Sequence, residues 1–477
     1  MEKSDKDESC AIGMIGLGVM GRNLLLNMAD HGFTVAGYDQ DQAKVASLCK
    51  EASTQPVHGA ASIEAFLRLL KKPRAIMLLI PAGKPVDAVI DELVPHLTAG
   101  DLIIDAGNSH FTDTDRRAAQ LLKQGIQFLG VGVSGGEEGA RHGPSIMPGG
   151  PKKAYEQVRP ILEAVAAKVH GEPCVTYLGT GSAGHYVKMV HNGIEYGIMQ
   201  LIAETYDLMK RGLGLDNEQL HAIYQSWNAA ELNSYLLEIT SLIFCRIDDK
   251  TGTPLIDLIR GVAAQNGTGM WTSQSAMELQ VPVSVIDVAV MMRDLSVLVK
   301  EREAASHLYP RAIPLIKEDQ QAFLAQLQGA LYTAMLIVYA QGLALLRVAS
   351  QKYSYQLELA AVARIWRGGC IIRAKLLEDI AHAFQAKADL PNLLLDATLS
   401  QRVMQHQDDL RHVVSQGGRA GIPVPALMAA LSYLDAYRSQ WQPANLIQAQ
   451  RDYFGSHHYE RTDIAGTFHT EWDNDAV

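Results

Sequence analysis

Between Cys10 and Asp39 the chain runs through a short apolar stretch to Ile15, then Gly16-Leu17-Gly18-Val19-Met20-Gly21. A helical apolar pattern from Asn23 to Met28 follows, and a second apolar run, Thr34 to Tyr38, ends on an acid. Few folds accept this order. A strand that turns through glycines into a helix presents backbone amides at the helix N-terminus, where an anion binds. The three glycines serve the tight turn, the close approach of a pyrophosphate and the strand–helix contact. Asp39 stands 18 residues beyond Gly21, where a carboxylate can take the hydroxyls of a ribose. A lone G-x-G-x-x-G is weak, but the strand before it and the acid after it make a dinucleotide-binding unit. Gly16, Gly18, Val19, Met20, Gly21 and Asp39 are the expected cofactor contacts.

Further apolar runs at Ala75 to Ile80, Leu102 to Asp105 and Gln127 to Val133 alternate with helical stretches such as Asp113 to Gln124. The expected fold class is therefore α/β, with a doubly wound Rossmann-type sheet first. Its carboxyl-edge loops would be Pro81-Ala82-Gly83, Asp105 to Ser109 and Ser134 to Ala140, the edge at which such sheets bind ligands. Ala82 and Asn108 are placed among the cofactor contacts. Gly179 to Gly184 reads as a junction, with Ser182 as N-cap of a long helix. Beyond it strand signals fade and apolar residues recur at helical spacing, so a large all-helical domain is expected. The boundaries drawn are 1–180, 181–440 and a C-terminal tail, 441–477. Asn266 to Thr272 is read as a glycine-rich loop interrupting the helices, and Ala330 to Leu346 as a buried core helix rather than a membrane span.

Val187 to Gly197 reads V-K-M-V-H-N-G-I-E-Y-G. As a helix it sets Lys188, His191, Asn192 and Glu195 on one face, while the surrounding residues are apolar. Such a stripe is ordinarily a solvated surface. Here the other faces are apolar too, and Gly193 and Gly197 weaken the helix, which points to a wall of a cavity bearing a base, an acid and two hydrogen-bonding groups. Arg293, alone on an apolar helix, reads by itself as a paired structural charge.

A formal net charge of −10 argues against a general nucleic-acid binder. The five cysteines are widely spaced with no C-x-x-C pair, so neither a metal site nor a disulfide framework is expected, and a reducing, cytoplasmic setting fits. Residues 1–9 are charged and read as a disordered lead-in without the apolar core of an export signal.

G-L-G-V-M-G, D-A-G-N-S, V-S-G-G-E-E-G-A, V-K-M-V-H-N-G-I-E-Y-G, W-R-G-G-C-I-I-R (Trp366 to Arg373) and N-L-I-Q-A-Q-R-D-Y-F-G together resemble the long, decarboxylating 6-phosphogluconate dehydrogenases over nearly the whole chain. The resemblance implies oxidation of 6-phosphogluconate at C3 by hydride transfer to a nicotinamide, then loss of CO2 to give ribulose 5-phosphate, a step of the pentose phosphate pathway. It implies Lys188 as the base and later the acid, and Glu195 as the acid that protonates C1. Asn108, Ser134, Gly135, Gly136, His191 and Asn192 would hold the sugar acid, and Tyr196, Thr268 and Arg293 its phosphate. Arg451 and His457 would come from the partner subunit of a homodimer.

Two departures stand out. The family's K-G-T-G-K-W has Asn266 and Met270 in place of both lysines, and its usual Asn-Arg-Thr after the second strand is Asp39-Gln40-Asp41. The second predicts NAD over NADP, with NADP weaker, because a 2′-phosphate would meet a carboxylate. Two other readings are a shorter-chain 3-hydroxyacid dehydrogenase and a non-catalytic cofactor-binding protein; the long helical half opposes the first, and the intact Lys188 and Glu195 oppose the second.

Overall fold

The computed structural model describes residues 9–472, so all but Ser9 of the expected lead-in, and the last five residues of the tail, lie outside the described residues. The first part of the chain is β1 (Ile12–Ile15), α1 (Val19–Asp30), β2 (Val35–Tyr38), α2 (Gln42–Ala52), β3 (Val57–Gly59), α3 (Ile63–Leu69), β4 (Ala75–Leu78), α4 (Lys84–Leu93), β5 (Leu102–Asp105) and α5 (Phe111–Leu122). It continues through β6 (Gln127–Ser134), α6 (Gly136–His142), β7 (Ser145–Gly149), α7 (Lys152–Val165) and the small hairpin β8 (Lys168–Val169) and β9 (Glu172–Pro173).

The main sheet has seven strands in the order β3-β2-β1-β4-β5-β6-β7, parallel except for β7 against β6. Residues of β1 alternate between two cores: Ile12 and Met14 pack on one face of the sheet, Ile15 on the other. Burial on both faces is why these strands read as unbroken apolar runs. β3 and β7 were not legible. β3 is three residues, half-exposed to exposed, and β7 is Ser-Ile-Met-Pro-Gly, whose proline is tolerable because β7 is the edge strand.

Then come α8 (Ala183–Asp207), α9 (Asn217–Asn228), α10 (Tyr235–Cys245), α11 (Leu255–Leu258), α12 (Thr268–Glu278), α13 (Ser284–Val297), α14 (Val299–Leu308), α15 (Gln320–Lys352), α16 (Leu359–Ile365), α17 (Leu376–Ala386), α18 (Ala397–Ala420), α19 (Pro425–Tyr437) and α20 (Ala444–Gly455). The only later strands among the described residues are β10 (Tyr459–Glu460) and β11 (Thr467–Phe468). Thus an N-terminal Rossmann-type sheet is followed by a large helical region, as its residue pattern predicts.

Two local expectations need correction. Ser182 does precede α8 but gives it no side-chain cap; its hydroxyl donates instead to Asp115 Oδ2 at 2.9 Å and meets Tyr355 Oη at 2.8 Å. The stretch 266–272 is a loop only as far as Gly267, whose φ of +92° starts α12 at Thr268. Helix α15 is 33 residues long, and 94% of its most apolar 18-residue window is buried inside the protein.

α8 reaches the sheet because side chains are missing at the contact. A Cβ on Gly184 would lie 2.2 Å from the Gly130 carbonyl oxygen, and one on Gly132 would lie 2.4 Å from Lys188 Cβ. On its other sides Gly193 admits Thr272 of α12 and Gly197 admits Val338 of α15. Gly193 and Gly197, inside the helix, weaken it by roughly 1 kcal/mol each relative to alanine, and the close packing that all four glycines permit fixes α8 against the end of β6.

The described chain divides into two compact units between Ala430 and Leu431, inside α19, and the sheet and the helices from α8 to α18 share the first. The second unit is knotted around Asp452, a buried carboxylate that accepts from His458 N, His469 Nδ1, Thr470 N and Trp472 Nε1 at 2.9–3.1 Å.

Candidate active site

The cofactor end is built from backbone. Gly16 sits at φ +97°, and a Cβ there would meet the Leu79 carbonyl oxygen at 2.5 Å. Gly18 faces open space, and a Cβ on Gly21 would strike the Gly16 carbonyl oxygen at 1.9 Å. α1 has no side-chain cap, so the amides of its first turn are left for an acceptor from outside the helix. That cradle fits a pyrophosphate. Asp39 is 7% exposed, and its two oxygens accept from Leu17 N at 2.8 Å and Asp41 N at 2.9 Å. It therefore braces the glycine turn from beneath. Lys44 Nζ approaches the same carboxylate at 3.5 Å. Ala82 is half-buried on the loop after β4, and Asn108 is exposed on the loop after β5.

The other end is built from side chains on α8. Lys188, His191 and Asn192 are buried, and the Glu195 side chain is 20% exposed. Lys188 Nζ lies 3.4 Å from His191 Nδ1, which is also 3.0 Å from Asn192 Oδ1 and 3.7 Å from Glu195 Oε2. His191 Nε2 meets Ser134 Oγ at 3.2 Å, and that hydroxyl accepts from Ile371 N at 3.4 Å. Asn192 Nδ2 donates to Thr268 Oγ1 at 3.1 Å. The predicted stripe is thus one connected polar wall, facing inward.

Burial dominates its electrostatics. It lowers the Lys188 pKa against the opposing attraction of Glu195, and raises that of Glu195 against the pull of Lys188 and Arg293. His191 is pushed well below its ordinary range by burial and then by the neighbouring Lys188, so it stays neutral. Both side chains are driven toward their uncharged forms, in which a lysine can act as a base and a glutamic acid as an acid.

The remaining predicted contacts divide. Gly135, at φ +121°, has the Gly369 carbonyl oxygen 2.6 Å from where a Cβ would stand, and Gly136 faces open space. Arg293 lays its guanidinium 3.6 Å from the centroid of the Tyr196 ring and donates to the Ala264 carbonyl at 2.9 Å, a different arrangement from the paired charge its sequence setting suggests. Arg451 and His457 belong to the second unit, where both are exposed and Arg451 donates to Gln448.

Sequence reasoning assigned no role to Trp366 or Gly369. The indole, fully buried, stands edge-on to His191 at 5.6 Å, and Gly369 closes on the Ser134–Gly136 turn. A tryptophan followed closely by two glycines was the available signal. Among the described residues, no group of three or more His, Cys, Asp or Glu side chains could hold a metal ion.

Residues 11–179 match the NAD binding domain of 6-phosphogluconate dehydrogenase, and residues 184–472 match the 6-phosphogluconate dehydrogenase C-terminal domain. A Bacillus subtilis protein named as an NADP(+)-dependent, decarboxylating 6-phosphogluconate dehydrogenase is 50% identical, over 97% of this chain and 98% of its own length. A decarboxylating 6-phosphogluconate dehydrogenase of Caenorhabditis elegans is 49% identical over 97% and 96%. The solved Plasmodium falciparum 6-phosphogluconate dehydrogenase, described with its cofactor NADP+ and its substrate 6-phosphogluconate, superposes with a TM-score of 0.94 at 44% identity, over 97% of this chain and all of that one. With an amide-lined dinucleotide cradle at one end and a buried lysine–glutamate wall at the other, the chain belongs to the decarboxylating 6-phosphogluconate dehydrogenases, a family of nicotinamide-dependent oxidoreductases.

Proposed function

We propose that this chain converts 6-phosphogluconate to ribulose 5-phosphate and CO2, with NAD preferred to NADP, as a cytoplasmic homodimer serving the pentose phosphate pathway. The observation that carries the reading is the pair Lys188 and Glu195, two turns apart on one buried helix and both driven toward the neutral form. A bound nicotinamide would accept the hydride from C3. Lys188, uncharged, takes the C3 hydroxyl proton as that carbon is oxidised, and then, as an ammonium, supports the developing C3 oxyanion while the C1–C2 bond breaks and CO2 leaves. Glu195, protonated, delivers its proton to C1 of the enediol. Asn108, Ser134, Gly135, Gly136, His191 and Asn192 hold the sugar acid; Tyr196, Thr268 and Arg293 hold the phosphate.

For the cofactor, Gly16, Gly18, Val19, Met20, Gly21, Ala82 and Asn108 are the proposed contacts, with Asp39 at the ribose. Support for NAD comes from local charge: Asp39 stands at the end of β2, Lys44 is drawn to it, and Arg74 is occupied by Asp101 and the Leu67 carbonyl. The division of labour assigns the cofactor to residues 1–180, substrate and dimerisation to 181–440, and contact with the partner's site to 441–477, with Arg451 and His457 completing it.

Reduction of each cofactor measured with 6-phosphogluconate, alongside CO2 release, tests the reaction. No turnover with either cofactor overturns the reading, and a preference for NADP overturns its cofactor half. Mixing Arg451→Ala subunits with Lys188→Met subunits tests the tail: a shared site regains activity in the mixed dimer, and a site built within one chain does not.

A further inference from the structure

Arg117, on α5, is 1% exposed and touches none of the groups given roles in the reaction. Its guanidinium instead joins two loops. Nη2 donates to the Gly83 carbonyl at 2.9 Å, next to Ala82, and Nη1 donates to Asp105 Oδ2 and to Ser109 Oγ, both at 3.2 Å. Nε donates to Asp87 Oδ1 of α4 at 2.8 Å. The carboxylate of Asp105 also accepts from Gly107 N at 3.1 Å and from the Ser109 hydroxyl at 2.6 Å. Asn108 therefore sits between two residues tied to one buried carboxylate, its own side chain exposed on a held backbone.

We infer that Arg117 is a positioning residue for hydride transfer, setting the separation of the Ala82 and Asn108 loops across the cleft; this rests on the proposed reading of that cleft. Only a planar fork can serve both loops at once, since an ammonium is a single point donor on a flexible stem. The brace extends to the helix of the base: Thr114, one turn before Arg117, places Oγ1 2.6 Å from Nδ1 of His185, one turn before Lys188. Both loops and α8 are thereby keyed to α5.

The test uses Arg117→Lys and Ser109→Ala in the full chain. It measures thermal stability, affinity of the substrate-free protein for reduced nicotinamide cofactor by fluorescence titration, and kcat and KM with 6-phosphogluconate. For Arg117→Lys kcat falls by about 10²-fold, as for misplacement of reacting groups by about 1 Å, cofactor affinity weakens, and KM changes much less than kcat. Ser109→Ala, which loosens only the Asn108 side, shifts kcat and cofactor affinity in the same direction by a smaller factor. Wild-type affinity and kcat per folded molecule in either variant, whatever the melting temperature, overturn the inference. If Arg117→Lys does not fold, Ser109→Ala decides. A wild-type protein inert toward 6-phosphogluconate would defeat the proposed function instead, and cofactor titration of the variants would still judge Arg117.

Discussion

The glycine turn after β1 and the polar wall of α8 handle charge by opposite means. At the β1–α1 turn the proposed cofactor's phosphates would meet backbone amides and a helix dipole, groups that do not titrate, with a carboxylate, Asp39, fixing the turn from behind. On α8 the same task falls to side chains taken out of water, so their protonation depends on their surroundings. Fixed dipoles make a binding site that is indifferent to pH; buried titratable groups make one that can move protons, at a cost in stability. The sharpest break of this comparison is Lys188→Met. Turnover is expected to fall by about 10²-fold or more, and Glu195→Gln to do the same. Cofactor affinity should hold, and Lys188→Met should not lower stability, because it replaces an amine whose burial is unfavourable with an apolar side chain of similar length. Loss of cofactor affinity in Lys188→Met would show that the two ends are not independent.

The next test stays on α8. Glu204 lies nine residues beyond Glu195, also buried, but its carboxylate is supplied with donors: Ala426 N at 2.8 Å and Leu427 N at 2.9 Å, both at the start of α19, and Gln200 Nε2 at 2.9 Å. Burial still outweighs them and pushes its pKa up to about 7 from 4.5. The folded protein then binds this proton more tightly than the unfolded chain does. Its contribution to stability is complete below about pH 4.5 and is lost as pH rises through about 7, a change on the order of 3 kcal/mol. Glu204→Gln abolishes that change, so the stability difference between wild type and variant, from denaturant unfolding, should shift in favour of the variant by that amount between pH 4.5 and 8. A pH-independent difference would mean that the three donors offset burial and leave Glu204 at its ordinary value of 4.5 in the folded protein.

What could be read in advance follows the same contrast. The glycine turn and Asp39 are legible because their geometry is local: strand, turn, helix and acid occur in order along 30 residues from Cys10 to Asp39. The polar stripe of α8 is legible because helical period alone puts Lys188 and Glu195 on one face. Its inward direction was only suggested by Gly193 and Gly197, and the reason lies far away, in Thr272, Val338 and the bare backbone of Gly130 and Gly132. Ser134 against His191, and Ile371 N against Ser134, join residues separated by 57 and 237 positions, which no spacing rule can reach. Arg117 shows nothing in sequence beyond a charge on a helix; that it is buried emerges only when β4, β5 and α5 are assembled.

A third test asks how far the cofactor end is set by charge. A phosphate about 4 Å from Asp39 at an effective dielectric near 20 meets on the order of 4 kcal/mol of repulsion per pair of unit charges before relaxation and screening. A surviving quarter of that, about 1 kcal/mol, is a preference for NAD of about fivefold in kcat/KM. Asp39→Asn by itself is not a clean reversal, because Leu17 N and Asp41 N each use one carboxylate oxygen and an amide has only one oxygen to accept with. It should weaken both cofactors. Adding Gln40→Arg and Asp41→Thr supplies the missing phosphate contacts, and the combined variant should prefer NADP. If Asp39→Asn alone reverses the preference at undiminished affinity, the bracing role of Asp39 is wrong.

The smallest effect is expected at the phosphate. Arg293 is stacked on Tyr196, with Nη1 on the Ala264 carbonyl and Nη2 3.5 Å from Met199 Sδ, which holds the guanidinium flat; its Nε and the second hydrogens of the two Nη atoms are the donors left for an anion. Asn266 is exposed, one residue before the Gly267 that starts α12, so it stands beside the helix amides and Thr268 but brings no charge. Asn266→Lys adds one exposed cation at that rim, worth up to about 1 kcal/mol against the substrate's phosphate at low ionic strength. KM for 6-phosphogluconate should fall by about two- to fivefold, with kcat unchanged, and the gain should shrink as salt is raised because an exposed charge is screened over about 10 Å at 0.1 M. A gain that persists in high salt would point to a new hydrogen bond rather than to charge. An unchanged KM would mean that the phosphate is already saturated with donors, or that it sits away from Thr268 and Arg293, and this end of the cleft would then resemble the amide-built cofactor end more than the side-chain wall beside it.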